Sequence, residues 1–162
     1  MIVLVSDTSV LIDLERGDLL EAAFACGMTM VVPDILYERE LADHNGPYLK
    51  ALGLNVVALT PAELQLAQTV HTERKALSLN DCFALSCATR PDHWLVTGDK
   101  ALRAEAAIRG VTVAGLLWLL DQMSNMGVAK EQLHEGLTRI AGHVRCRLPV
   151  AEARVRLGRW AP

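Results

Sequence analysis

Apolar runs of strand length alternate with helical patterns through residues 1–113, and this alternation limits the possible folds more than any other feature. Predicted strands cover residues 2–5, 29–32, 54–59, 93–97 and 111–113. Helical patterns separate them, and the links are short. Strands joined in this way pair in parallel, with the helices covering both faces of the sheet. The sequence therefore predicts an α/β fold, a single three-layer domain with a mainly parallel sheet flanked by helices.

The chain after the last predicted strand is helical throughout, with helices expected at residues 116–126, 130–143 and 150–160. We therefore expect an α/β domain over residues 1–120 and a C-terminal helical extension over residues 121–162, packed on the same domain. Leu116, Leu117, Leu119 and Leu120 surround Trp118 on one helix. One helix face cannot bury all of these side chains, so some of this surface should meet the following helix or a second subunit, and a homodimer is expected.

Several classes of protein are disfavoured by what the sequence lacks. No apolar run reaches the eighteen or so residues of a membrane span, and the start does not resemble a signal peptide, so a cytoplasmic location is expected. The metalloprotease HExxH, the nucleophile motif GxSxG and the phosphate-binding glycine loops are missing. The four cysteines form no CxxC pair and are expected to be reduced thiols.

Charge is distributed unevenly along the chain. The net charge is −3, but the segment from Arg139 onward carries six arginines against one glutamate, so that segment is at +5 and the remainder at −8. Two interpretations stay open for the tail. Its arginines either pair with the surplus acids of the body or supply contacts to phosphate, for which the guanidinium is well shaped. The arginines meant are the five that follow Arg139, namely Arg145, Arg147, Arg154, Arg156 and Arg159.

Two aspartates come directly after predicted strands. Asp7 ends the first apolar run and Asp99 follows the fourth, each just before a helix. Ligands in such folds bind beyond the carboxyl ends of the strands, next to helix N-termini. Either residue also suits a simpler role, because an aspartate at this position caps a helix by accepting from its free N–H groups.

Two further acids lie early in helices. Glu38 shares a helical face with Ile35 and Leu41, whereas Glu40 is expected to point to water. Asp81 stands in the first turn of a nearly all-apolar helix. A carboxylate that faces a core without a partner is costly. The alternatives are that Glu38 reaches solvent and that Asp81 completes a Ser-x-x-Asp capping box.

Asp7, Glu38, Asp81 and Asp99 make chemical sense as one group. Clustered carboxylates repel one another unless protons or a cation intervene. Ligand sets made only of oxygen suit hard cations, chiefly Mg²⁺ or Mn²⁺. Such sites typically cleave phosphodiester bonds with a metal-activated water.

The four acids and their surroundings resemble the motifs of PIN-domain ribonucleases, including the VapC-type toxins. The matching motifs, in chain order, are Asp7-Thr8-Ser9 after the opening strand, Pro33 followed by Glu38, Leu79-Asn80-Asp81, and Leu95-Val96-Thr97-Gly98-Asp99 with Lys100 and Leu102. The resemblance covers residues 1–120. The chain is longer than the compact toxins of that family and is similar to a subset with extra C-terminal helices.

This resemblance implies a PIN-like endoribonuclease that depends on Mg²⁺ or Mn²⁺ and cleaves RNA. Asp7, Glu38, Asp81 and Asp99 would hold the metal, and Ser9 would fix the geometry of the site by hydrogen bonding. Many such proteins are the toxin of a toxin–antitoxin pair, so an antitoxin protein is a possible partner.

Two other functions are alternatives to the ribonuclease. A phosphoacceptor receiver domain would carry a lysine after its last strand, where this chain has Val113-Ala114-Gly115. A catalytically inactive PIN-fold module that binds protein or RNA remains the alternative, although an inactive site has no physical reason to retain four mutually repelling acids.

Overall fold

The computed structural model describes all residues, 1–162, and contains one five-stranded sheet. The strands are β1 (Val3–Ser6), β2 (Thr29–Pro33), β3 (Asn55–Val57), β4 (His93–Val96) and β5 (Val113–Ala114). Every pairing is parallel, and the order is β3-β2-β1-β4-β5. The predicted three-layer α/β fold with a parallel sheet is therefore confirmed.

Ten helices connect and cover these strands. They are α1 (Thr8–Arg16), α2 (Leu20–Ala25), α3 (Asp34–Leu36), which continues as a π-helical turn over Tyr37–Leu41, α4 (Gly46–Leu52), α5 (Pro61–Glu73), α6 (Leu79–Cys87), α7 (Lys100–Ile108), α8 (Leu116–Asn125), α9 (Lys130–Ala141) and α10 (Val150–Trp160). None of them combines the length and the apolar character that a membrane crossing would need.

The order of the strands defines where a site can form. The chain moves outward from β1 through β2 and β3, then returns to the other side of β1 to build β4 and β5. β1 and β4 are therefore neighbours, with Ser6 in register with Val96. The links that leave these two strands diverge, which opens a crevice at their carboxyl ends.

Helix α4 begins where the sequence predicted only a loop. Asn45-Gly46-Pro47 reads as a turn, yet Gly46 is the first residue of the helix and Pro47 lies in its first turn. Proline is tolerated there because the first N–H groups of a helix have no partner within the helix. Asn45-Gly46-Pro47 is thus both a turn and the start of a helix.

The C-terminal helices join the hydrophobic core of the sheet. Leu133, Leu137 and Trp160 belong to the same cluster of 40 buried residues as the strands. Helix α9 packs against α1 and against the turn that follows it, where a Cβ atom on Gly136 would stand 2.6 Å from Leu19 Cδ1. The extension is thereby held against the helix that begins directly after Asp7.

The leucine-rich helix α8 is covered by its own chain. Its four leucines are all buried, and Trp118 packs against Trp94 with ring centroids 5.3 Å apart. Of the two expected partners for these side chains, the following helix and a second subunit, the structure shows the first, because α8 packs against α9 and the rest of the chain. The homodimer stays a prediction.

Candidate functional site

The aspartates that follow the two central strands both act as helix caps. Asp7 caps α1 by accepting from the N–H of Ser9 at 3.2 Å, and Asp99 caps α7 by accepting from the N–H of Leu102 at 2.8 Å. Both residues are half-buried. Since β1 and β4 are adjacent, the two caps lie at the same edge of the sheet. The sequence left a capping role open for both aspartates, and the structure confirms it. The same bonds position the two carboxylates in the crevice.

Two hydroxyls fix the Asp7 carboxylate. Its Oδ2 atom accepts from Ser9 Oγ at 3.1 Å and from Thr97 Oγ1 at 2.7 Å. The same Thr97 hydroxyl accepts from the N–H of Asp99 at 3.1 Å, and Thr97 is fully buried. Thr97 thus joins the two strand-end acids directly. The sequence placed Thr97 in a motif but did not predict that it bridges the two acids. Its position at the end of a buried strand was the only signal for that role.

Asp81 approaches the same place from α6. It forms a capping box with Ser78, in which each side chain binds the backbone N–H of the other residue. Burial raises the pKa of Asp81, and the charges of Asp7 and Asp99 raise it further, while hydrogen bonds from Ser78 lower it. The pKa stays above its usual value. Asp7, Asp81 and Asp99 are therefore close enough to act on one another.

The predicted directions of the two glutamates were wrong. Glu38 is exposed, whereas Glu40 is half-buried and accepts from Asn80 Nδ2 at 2.6 Å. Glu40 follows the buried Leu36 and Tyr37 by four and three residues and so shares their face of the helix. The helix continues here as a π-helical turn, in which the N–H of Ala42 donates to the carbonyl of Tyr37. Glu40 is therefore the glutamate that contacts Asn80, the residue before Asp81.

The donor set suits a hard divalent cation, although the side chains do not surround one. Asp81 Oδ1 and Asp99 Oδ2 accept no hydrogen bond from the protein, so each carboxylate keeps one oxygen free. Oxygen ligands of this kind fit Mg²⁺ or Mn²⁺. No group of three or more His, Cys, Asp or Glu side chains is gathered closely enough to hold a metal together. The charges of Asp7 and Asp99 act on Asp81, but the three side chains do not form a complete coordination shell.

A separate cavity of about 340 Å³ lies at the opposite end of β4 and is lined by residues including Arg90, Asp92, His93 and Arg109. Its two arginines are already paired with carboxylates, Arg90 with Glu63 and Arg109 with acids of α5 and α7. Neither arginine therefore offers an unpaired charge to a ligand. The crevice with the acids remains the better candidate.

Comparison with known proteins agrees with the crevice and the strand order. A protein-family model described as a PIN domain matches residues 3–160, which includes the C-terminal helices. No curated protein matches the chain. PIN domains are generally nucleases, bind RNA and typically use divalent metal ions. The match spans nearly the whole sequence, and the chain belongs to the PIN-domain family.

Proposed function

We propose that this protein is a Mg²⁺- or Mn²⁺-dependent endoribonuclease that hydrolyses RNA at the carboxyl ends of β1 and β4. The observation that supports the proposal is that three aspartates share one crevice, where Thr97 joins Asp7 to Asp99 and the charges of both add to burial in raising the pKa of Asp81. Repulsion among clustered carboxylates costs stability unless a cation balances it.

In this proposal Asp7, Asp81 and Asp99 hold the cation, with Glu40 in the position first expected for Glu38. When bound, a cation of this type activates a water and neutralises charge that develops on the phosphate. Ser9 and Thr97 hold the Asp7 carboxylate in one orientation through their hydroxyls. The caps on α1 and α7 fix the backbone of both strand ends.

The test is cleavage of a panel of RNAs with Mg²⁺, with Mn²⁺ or with EDTA. Asp7→Asn keeps the shape of the side chain but removes its charge, so cleavage should fall by at least about a hundredfold. Asp43→Asn is the matched control, because Asp43 is exposed and forms no ion pair. Equal cleavage by the Asp7→Asn variant and the wild type would show that the site is wrongly assigned.

A non-catalytic PIN-fold module is the second candidate, and the lack of a group of three close ligands favours it. The two functions differ in their response to metal. A cation that binds only the folded protein raises its melting temperature, by the equivalent of about 2.7 kcal/mol at a hundredfold excess over Kd. Unchanged melting with millimolar Mn²⁺, together with no RNA cleavage, would establish the inactive module instead.

A role as the toxin of a toxin–antitoxin pair is a further part of the proposal, and the VapC-like order of the motifs supports it. The nuclease would then act on cytoplasmic RNA and be held inactive by an antitoxin protein. Induced expression of the wild type in bacterial cells should arrest growth, and Asp7→Asn should not. Normal growth with active nuclease present would remove the toxin role. Light scattering on the purified protein would decide whether it is a homodimer.

A further inference from the structure

Arg103 stands beside the acid crevice and is held there by the backbone. It lies on α7, one turn after Asp99, and its Nη1 atom donates to the carbonyl of Thr97 at 2.7 Å. The hydroxyl of the same Thr97 donates to Asp7. The guanidinium is therefore bound to the residue that joins the two strand-end acids.

The charge of Arg103 is not balanced by any carboxylate. Seven of the twelve arginines form ion pairs with Asp or Glu, and Arg103 is not among them. A carbonyl oxygen fixes the head of the side chain without cancelling its charge. An arginine has five N–H donors, of which this bond uses one. The residue is also exposed, so the other donors are open to a ligand.

A glycine makes room for this guanidinium. Gly115 follows β5, and a Cβ atom there would stand 3.2 Å from Arg103 Nη1, closer than ordinary van der Waals contact. The guanidinium thus lies directly over the backbone of Gly115, at the same edge of the sheet as the acids. A larger residue at this position would push the side chain of Arg103 away from the Thr97 carbonyl.

We propose that Arg103 binds a phosphate of the RNA substrate at the rim of the crevice, an inference that rests on the proposed nuclease function. A crevice of carboxylates repels the phosphodiester backbone, so the substrate needs a nearby positive charge. Arginine is suited to this task because its planar fork can make two parallel hydrogen bonds to phosphate oxygens. Arg103 offers such a fork in a fixed position, next to the acids but not neutralised by them.

The experiment measures binding of a fluorescent single-stranded RNA across a salt series, with Asp7→Asn as the non-cleaving parent. Adding Arg103→Gln should weaken binding roughly tenfold at low salt. It should also flatten the slope of log affinity against log salt by about 0.7, the value for one phosphate contact on a single strand. Arg139→Gln is the charge-matched control, because it removes an arginine of α9 that is paired with Glu135.

A second variant displaces the guanidinium without changing the charge. Gly115→Ala places a Cβ atom against Arg103 Nη1 and should weaken RNA binding about threefold, since the fork shifts by a few tenths of an ångström. Gly158→Ala is its control, because a Cβ atom at Gly158 meets nothing within 4 Å. Melting temperatures of all variants establish that they are folded.

The outcomes separate this inference from the nuclease proposal. If neither the wild type nor the Asp7→Asn parent binds RNA, both proposals are overturned. If the parent binds and Arg103→Gln leaves the salt slope unchanged, Arg103 only clamps the Thr97 backbone, and the inference fails while the nuclease proposal stands. A flatter slope with Arg103→Gln, but not with Arg139→Gln, is the result expected for a phosphate contact.

Discussion

Two regions of this chain bury a carboxylate, and the pKa of the buried group shifts in opposite directions in the two. On α7, Glu105 is only 4% exposed, and burial by itself would raise its pKa. Hydrogen bonds from Arg74 and Arg109, both at 2.9 Å, outweigh that effect and hold the pKa below its usual value. In the crevice, Asp81 is less buried, yet its pKa is raised.

The difference between the two regions is the partner. Glu105 has two guanidiniums, whereas Asp81 has other acids and the capping residue Ser78. The same helix α7 carries Glu105 and, at its N-terminus, the crevice residue Asp99. Burial therefore does not distinguish a structural acid from a functional one. An acid that shares its surroundings with like charges is the better sign of a site that awaits a cation.

The largest expected effect is on stability at pH 7. Glu105→Gln leaves two guanidiniums without their carboxylate and should lower the free energy of unfolding by about 2 kcal/mol, a value reduced because Arg74 is half-exposed. Asp81→Asn should leave stability unchanged or raise it, since it removes repulsion while its amide oxygen can still accept from Ser78. Urea unfolding of both variants measures the contrast.

Glu131→Gln serves as the control for this comparison, because Glu131 is exposed and forms no ion pair. Its effect should stay within about 0.5 kcal/mol. A marked loss of stability in Asp81→Asn would mean that the capping box outweighs the repulsion. The crevice acids would then be structural in the same sense as Glu105.

The second-largest expected effect is on RNA cleavage, and it tests whether Glu40 or Glu38 belongs to the crevice. Glu40→Gln should lower RNA cleavage by at least about tenfold, because Glu40 contacts Asn80 next to Asp81. Glu38→Gln should change it little, since Glu38 is exposed. The pair is closely matched, with the same chemical change two residues apart on one helix. Equal loss in both variants would argue that the helix rearranges when RNA or metal binds.

The crevice and a second paired carboxylate, Glu63 on α5, should respond to acid with opposite signs. A hydrogen bond from Arg90 lowers the pKa of Glu63 from 4.5 to about 2. Its stabilising contribution is present above pH 4.5 and is lost as pH falls from 4.5 towards 2. The raised pKa of Asp81 has the reverse effect, because protonation there relieves repulsion as pH falls. Urea unfolding across this range should show a smaller acid loss in Glu63→Gln and a larger one in Asp81→Asn.

Much of this molecule was predictable from sequence, for reasons that particular residues make clear. Alternating strands and helices forced a parallel sheet, and Asp7 and Asp99 had to meet once their strands were neighbours. The directions of the two glutamates were predicted wrongly, because apolar residues lie near both faces of this short helix and the buried pair, Leu36 and Tyr37, shares a face with Glu40. The pairing of Thr97 with Asp7 spans ninety residues, so only the folded sheet could reveal it.

The basic tail divides in the same way as the acids, into arginines with partners and arginines without. Arg156 binds Asp121 through two hydrogen bonds, and Arg159 lies 3.6 Å from the same carboxylate. Arg145, Arg147 and Arg154 are exposed and form no ion pair. The ion-pairing interpretation therefore holds for Arg156 and Arg159, and phosphate contact stays a prediction for the other three. Only the second group is free to contact phosphate.

The position of the loop after α9 favours such a contact. Burial raises the pKa of Asp13 on α1, while the charges of Arg16 and His143 lower it and that of Asp7 raises it. The pKa of Asp13 thus depends both on Asp7 of the crevice and on His143 of the loop that carries Arg145 and Arg147.

The smallest expected effect is on RNA binding by single tail variants, again with Asp7→Asn as the parent. Arg145→Gln, Arg147→Gln and Arg154→Gln should each flatten the salt slope by about 0.7 if the residue contacts one phosphate. Arg159→Gln should change nothing, because its guanidinium lies beside Asp121. Point substitutions are needed because truncating the tail would remove Trp160, which is 2% exposed, from the core. Four unchanged slopes would limit RNA contacts to the rim of the crevice and leave the extension a purely structural cover for α1.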